Sequence, residues 1–365
     1  MTLEERADQA AAEALARNAD SAYFDVARDT KCIVPCARPV VVGAADLLSA
    51  TFPPRERLLS PWLQSQSLSM IYAPRGIGKT HVALGVGFAL ASAGEFLGWR
   101  ASKPVHVLYL DGEMPGADLK DRLAGIIAAN GGGEAPDTLK LMTPDLQPDG
   151  IMPNLYTPAG QDAITAAAGD ARVIIVDNLS CLVRGGKENE GESWQPVAEW
   201  ALRMRSNGRS VVFIHHAGKG GQQRGTSKRE DLLDTVIALK RPADYMPDQG
   251  ARFEIHFEKA RALYGQEVTP FVAALQATSA GAQEWAIRAV SEASEAQMIE
   301  LAALGLTMRE IGSELGVSHS TVIRALNKAK DEGRYSPKAK KGTRSQSMPA
   351  KDHGADAYRR ASGGE

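Results

Sequence analysis

The sequence predicts an α/β fold with a mostly parallel central sheet, followed by a small all-α module and a disordered basic tail. Three observations predict it. Short apolar, β-rich runs alternate with helix-patterned stretches from about residue 67 to about 275, and strands separated by helices of that length pair in parallel. The first run leads straight into a glycine-rich loop. Later runs end in acidic residues, at the strand end where open parallel sheets bind ligands.

At 365 residues the chain is long enough for one large domain or two ordinary ones. Its 44% hydrophobic content supports a substantial core, and 24% charged residues is ordinary for a soluble protein. A net charge of −2 excludes a bulk field that attracts polyanions, so any nucleic-acid contact must come from local basic patches. Three cysteines fit a reducing cytosol, and a cytoplasmic location is expected. Cys32 and Cys36 frame "CIVPC" with no second ligand pair nearby, which reads as free thiols rather than zinc ligands. The first residues carry no apolar signal segment. The longest apolar stretch, "HVALGVGFALASAG", is too short to span a bilayer, so no membrane contact is expected.

Residues 1 to about 30 read as a surface helix, and a proline-punctuated connector completes an N-terminal segment over 1–44. The main domain is expected over 45–280. Its strands are "SLSMIYA" (67–73), "VHVLYLD" (105–111), "RVIIVD" (172–177), "SVVFIHH" (210–216), "TVIALKR" (235–241) and "RFEIHFEKA" (252–260). Helices fall after Lys79, around "GADLKDRLAGIIAAN" and around "ESWQPVAEWALRMRSNG". The last two strands follow each other closely and are expected to form an antiparallel extension. "QATSAGAQEWA" reads as a loose linker to a helical module over 290–333. The tail, 334–365, is nearly free of apolar residues and net basic, the composition of a disordered segment.

"APRGIGKT", residues 73–80, fits the phosphate-loop pattern and lies between an apolar strand and a helix, the context that confirms it. Ala73, Pro74, Arg75, Gly76, Ile77 and Gly78 form the turn whose backbone N–H groups cradle phosphate oxygens. Lys79 supplies a point charge to the β- and γ-phosphates, and the Thr80 hydroxyl can ligate Mg²⁺. ATP with Mg²⁺ is therefore the expected ligand pair. Asp177, closing "RVIIVD", is the expected carboxylate on the metal side. In "VHVLYLDGEMP", Glu113 is the first choice to polarise an attacking water and Asp111 the second; either can instead cap the following turn.

The ordered series "APRGIGKT", "LYLDGE", "VIIVDNLS", "VFIHHAGKGGQQRGTSKREDLLD" and "FEKAR" resembles the RecA-like ATPase superfamily. It is nearest to the ring-forming plasmid RepA-type and DnaB-type helicases, and the resemblance covers roughly residues 45–275. It implies a homo-oligomer, a hexamer, that passes single-stranded DNA through its channel. It also implies that the strand after Asp177 ends in a group sensing the γ-phosphate. His215 and His216 occupy that place, with His216 the one facing nucleotide. The loop that follows would project into the channel, where Lys219 could track a phosphodiester backbone. The preceding loop, with Arg184 and Lys187, resembles the second channel loop. Arg224 and Arg261 are competing candidates for an arginine donated across a subunit boundary, with Lys259 beside the second.

"AQMIELAALGLTMREIGSELGVSHSTVIRALNKAKDEG" has the form of a helix-turn-helix. Thr307 and Ser318 are placed to cap helices, Gly316 sits at the turn, and Ile311, Val322 and Leu326 supply a buried face. Ser320, Arg324 and Lys328, with His319 and Asn327, remain to meet the phosphates or base edges of a duplex. Together these features predict an ATP-hydrolysing motor acting on DNA, and the RepA-type resemblance implies a helicase serving replication of a plasmid, phage or integrated element. A DNA-binding regulator with an ATPase switch and a recombinase-like filament former remain as alternatives.

Overall fold

The computed structural model describes residues 40–185, 194–217, 230–261, 263–277 and 283–336. The chain falls into two units, Met1–Pro54 and Arg55–Glu365. Of the first, residues 40–54 are described: they are exposed throughout and carry one short helix, α1 (Ala44–Ser49).

The second unit opens with a small hairpin, β1 (Arg57–Leu59) and β2 (Leu63–Gln64), before β3 (Leu68–Ala73) and α2 (Lys79–Ser92). Then come β4 (Glu95–Phe96), β5 (Trp99–Arg100), β6 (Val107–Asp111), α3 (Gly116–Ala129), β7 (Leu139–Met142) and α4 (Pro158–Ala167). Next are β8 (Val173–Asp177), α5 (Leu179–Leu182), α6 (Gln195–Ser206), β9 (Ser210–His216), β10 (Thr235–Lys240), β11 (Arg252–Ala260), β12 (Phe271–Ala277) and β13 (Gln283–Ala289). Three helices close the described chain: α7 (Val290–Ala303), α8 (Met308–Glu314) and α9 (His319–Asp331).

One nine-stranded sheet carries the fold, in the order β13-β12-β11-β10-β3-β9-β8-β6-β7. From β10 to β7 every pairing is parallel, and β11, β12 and β13 add antiparallel strands at one side. Strands β3, β8 and β9 are buried along their whole length, which is why their sequences are dominated by apolar residues on both faces rather than alternating. Helices α2 and α3 pack on one face around Val82, Val86, Leu119 and Ile175. Helices α4 and α6 pack on the other around Ile164, Val197, Trp200 and Phe213. Each large apolar side chain buried there contributes roughly 1.5–3 kcal/mol, so the central strands hold their registers firmly.

Two sequence expectations change. The strand at 235–240 does not begin an antiparallel extension; it pairs in parallel with β3 and only β11 reverses. The "QATSAGAQEWA" stretch is no linker: its ends belong to β12 and β13, paired from Phe271↔Ala289 to Ala277↔Gln283. Trp285 then packs edge-on against Phe96 and beside Phe253, so the hairpin is part of the main core. Helix α7 follows β13 without an intervening residue. The expected N-terminal helix, Cys32, Cys36 and the tail from residue 337 lie outside the described residues.

The C-terminal helices close around Met298, Ile311, Val322 and Leu326. Thr307 caps α8 in a reciprocal box with Glu310, and the Ser318 hydroxyl accepts the Thr321 N–H at 3.2 Å. Gly316 adopts a φ of 63° at the turn between them. No helix among the described residues is long and apolar enough to cross a membrane.

Candidate functional site

The register of the sheet brings the predicted residues together. Ala73 and His216, the last residues of β3 and β9, are direct partners, as are Asp111 and Asp177 at the ends of β6 and β8. Because β9 lies between β3 and β8, His216 sits between the phosphate loop and Asp177. A pocket of about 530 Å³ opens over these strand ends.

The phosphate loop turns through Gly76 and Gly78, with φ of 72° and 114°. Gly78 is also the N-cap of α2, so the positive end of that helix faces the pocket. A Cβ at Gly78 would lie 3.3 Å from the Phe253 ring and 3.6 Å from the Ala251 Cβ; the contact is tight, and it is the backbone conformation that favours glycine here. Lys79 is 7% exposed and donates to the carbonyls of Pro74 at 3.0 Å and Ala73 at 3.4 Å. Burial lowers its pKa, while Asp177 and Glu113 pull it back up.

Asp177 is buried, and its Oδ2 accepts the Tyr109 hydroxyl at 2.6 Å. Burial raises its pKa; hydrogen bonds from Tyr109 and Thr80 and the charge of Lys79 oppose that shift. A hydroxyl and a carboxylate side by side at the mouth of a phosphate cradle are oxygen donors suited to Mg²⁺. The residues present therefore fit both nucleotide and metal.

The two acidic candidates separate clearly. Asp111 is 2% exposed. Its carboxylate accepts the Met114 N–H at 3.1 Å and the Thr143 hydroxyl at 3.3 Å, so it caps the turn after β6. Burial pushes its pKa up to about 6. Glu113 instead projects from that turn with its side chain 61% exposed, its Oε2 3.9 Å from His216 Nε2. Asn178 Nδ2 donates to the same oxygen.

The sequence reading missed several residues that line the pocket: His81, Arg122, Asn178, Gly250 and Ala251. Arg122 lies on α3, in the stretch the sequence marks only as a helix. Burial and the Arg122 charge push the His81 pKa down to about 4. Gly250 and Ala251 come from the chain just before β11, far away in sequence.

Among the described residues, neither the expected DNA-contacting residues nor the candidates for a donated arginine line this pocket. Arg184 donates to the carbonyls of Cys181, at 3.1 Å, and Met152, so its guanidinium is engaged within the chain. Lys187, Lys219 and Arg224 lie outside the described residues. Arg261 is exposed, donates to the Asp231 carbonyl at 2.9 Å, and is not among the residues lining the pocket of its own chain. Lys259 donates to the Glu230 carbonyl. On α9, Ser320 and Arg324 are exposed, whereas Lys328 pairs with Glu295 at 3.4 Å and Glu332 at 4.0 Å. Acidic residues outnumber basic ones between residues 290 and 336.

Comparison with known proteins gives two findings. A family model described as an AAA domain matches residues 36–222, just over half of the chain. Among solved structures, a KaiC-like protein from the hyperthermophilic archaeon Pyrococcus horikoshii is similar over 64% of this chain and 94% of its own, at 12% identity and a TM-score of 0.41.

Proposed function

We propose, from the premise that the chain belongs to the AAA domain family and is an ATP-hydrolysing P-loop ATPase of RecA-like fold, that it is a DNA motor working as a homo-oligomeric ring. The form of motor we infer is a hexameric helicase for replication of a plasmid, phage or integrated element. Its motif series, which resembles that of RepA-type and DnaB-type rings, supports this reading.

The chain's own residues would divide the work as follows. The backbone from Ala73 to Thr80 receives the triphosphate, with Lys79 neutralising its terminal charge. Thr80 and Asp177 would hold Mg²⁺, which when bound would neutralise charge on the phosphate oxygens and so lower their repulsion of the attacking water. Glu113 accepts the proton of the attacking water. His216 lies between the phosphate loop and Glu113 and reports the state of the γ-phosphate to the loop beyond Ala217. That loop carries Lys219 and is the inferred contact with single-stranded DNA.

The observation that carries the ring is the position of Arg261. A guanidinium stabilises a transferring phosphoryl group only by touching it, and Arg261 is exposed and outside the pocket of its own chain. A neighbouring subunit's pocket is the site it would complete, with Arg224 the rival for that role. The helices α7–α9 would add duplex binding through Ser320 and Arg324. Their acidic surroundings leave most of the electrostatic attraction to the basic tail.

Imaging the protein with a non-hydrolysable ATP analogue and single-stranded DNA tests this reading. Closed six-fold rings are expected. Dimers would favour an ATP-switched DNA-binding regulator, and open filaments a recombinase-like protein; either result would overturn the ring.

A further inference from the structure

We propose that Asn178 is a positioning residue that clamps Glu113, with Cys181 as its second contact. This inference rests on the reading of Glu113 as the proton acceptor.

Glu113 has little else to fix it. Its side chain is 61% exposed, and an exposed glutamate has several rotamers of similar energy. Proton abstraction depends on position at the scale of one ångström. In the structure the Glu113 Oε2 is held from one side: Asn178 Nδ2 donates to it and the Cys181 thiol lies 3.7 Å away. His216 Nε2 stands 3.9 Å from the same oxygen.

The clamp itself is built rigidly. Asn178 is 3% exposed and is the N-cap of α5, its Oδ1 accepting the Cys181 N–H at 3.2 Å. That bond decides which way the amide faces. With Oδ1 committed to the helix, Nδ2 must point to Glu113. Arg184 secures the far end of the same helical turn through the Cys181 carbonyl.

Gly112 lets the two pieces meet. Its N–H donates to the Asp177 carbonyl at 2.7 Å. A Cβ there would fall 2.8 Å from Leu182 Cγ and 3.0 Å from Cys181 Cβ. Any side chain at 112 would push α5, and the clamp on it, away from Glu113.

Asn178→Ser separates the two tasks of the residue. Serine caps a helix about as well as asparagine but is too short to reach Glu113. The variant should keep its melting temperature and its affinity for an ATP analogue, with kcat falling about tenfold or more and KM little changed. In a Glu113→Gln background the same substitution should produce no further loss, because the carboxylate it positions is already gone. If serine lowers the melting temperature, Asn178→Asp serves instead: it caps equally well and sets a carboxylate against Glu113, so kcat should fall further still. Normal turnover in a well-folded Asn178→Ser, or an equal loss in the Glu113→Gln background, overturns the clamp. Normal turnover in Glu113→Gln alone would overturn the reading of Glu113, and the clamp with it.

Discussion

Tyr109, fully buried in β6, donates its hydroxyl to Asp177 Oδ2 on the neighbouring strand at 2.6 Å. The bond fixes the carboxylate that faces Thr80 and the phosphate loop. Groups that orient a metal ligand commonly change metal affinity by about 10- to 100-fold when removed. Tyr109→Phe keeps the ring that packs beneath the sheet and removes only the donor. The Mg²⁺ concentration that half-saturates ATPase activity should rise about tenfold, while nucleotide binding measured without metal stays unchanged. An unaltered Mg²⁺ titration would remove Tyr109 from the site.

Among the described residues Lys79 donates to the carbonyls of Ala73 and Pro74, and it lines the open pocket. Lys79→Ala should retain the wild-type circular dichroism spectrum and lose ATP turnover by about a hundredfold or more. Near-normal hydrolysis by a folded variant would refute the assignment of the phosphate loop.

Glu113→Gln and Asp111→Asn should behave in opposite ways. The first should bind ATP and hydrolyse it at least about a hundredfold more slowly. The second should hydrolyse normally, because Asp111 caps a turn. It should also change stability with a definite sign. The folded-state pKa of Asp111 is raised to about 6 from an ordinary 3.8, so the folded protein binds the extra proton between those values. Ionising Asp111 therefore destabilises the fold as pH rises from about 4 through 6, and the penalty is complete above that. Asparagine mimics the protonated acid and carries no such penalty. Asp111→Asn should be more stable than wild type at pH 8, by no more than about 3 kcal/mol, with the difference closing near pH 4. Urea melts at both pH values measure it; a destabilised variant at pH 8 would contradict the buried-carboxylate account.

Removal of the C-terminal helices must begin at Val290, because Trp285 and the rest of β13 belong to the main sheet. A chain ending at Ala289 should keep ATPase activity stimulated by single-stranded DNA and lose affinity for duplex. Binding to both DNAs at two salt concentrations checks this, since backbone contacts weaken steeply with salt. Loss of single-strand stimulation would make the helices an assembly element instead.

Much of the site was legible because its residues close buried strands. In β6, β8 and β9 an apolar run ends in a polar group, and the phosphate loop that follows β3 has its own spacing. The direction of β10 was not legible: nothing in Thr235–Lys240 states which neighbour it will take. β12 and β13 were hidden because their surfaces are half-exposed and rich in alanine, glutamine and glutamate, so neither run shows a strong period of two. Arg122 and Asn178 were invisible for a different reason. Each reaches the pocket only after α3 and α5 pack against the strand ends, and within their own segments they look like an ordinary helix face and an ordinary cap.

The measurement that bears most directly on a shared catalytic site mixes two inactive proteins. Lys79→Ala lacks the phosphate lysine but offers an intact Arg261; Arg261→Ala has an intact pocket but nothing to donate. Co-assembled in equal amounts, roughly a quarter of subunit boundaries would join a sound pocket to a sound arginine. The mixture should then recover ATPase activity on that order, although each variant alone is inactive. Activity no greater than the sum of the separate variants would contradict an arginine acting across the boundary, and full activity of Arg261→Ala alone would contradict any role for Arg261.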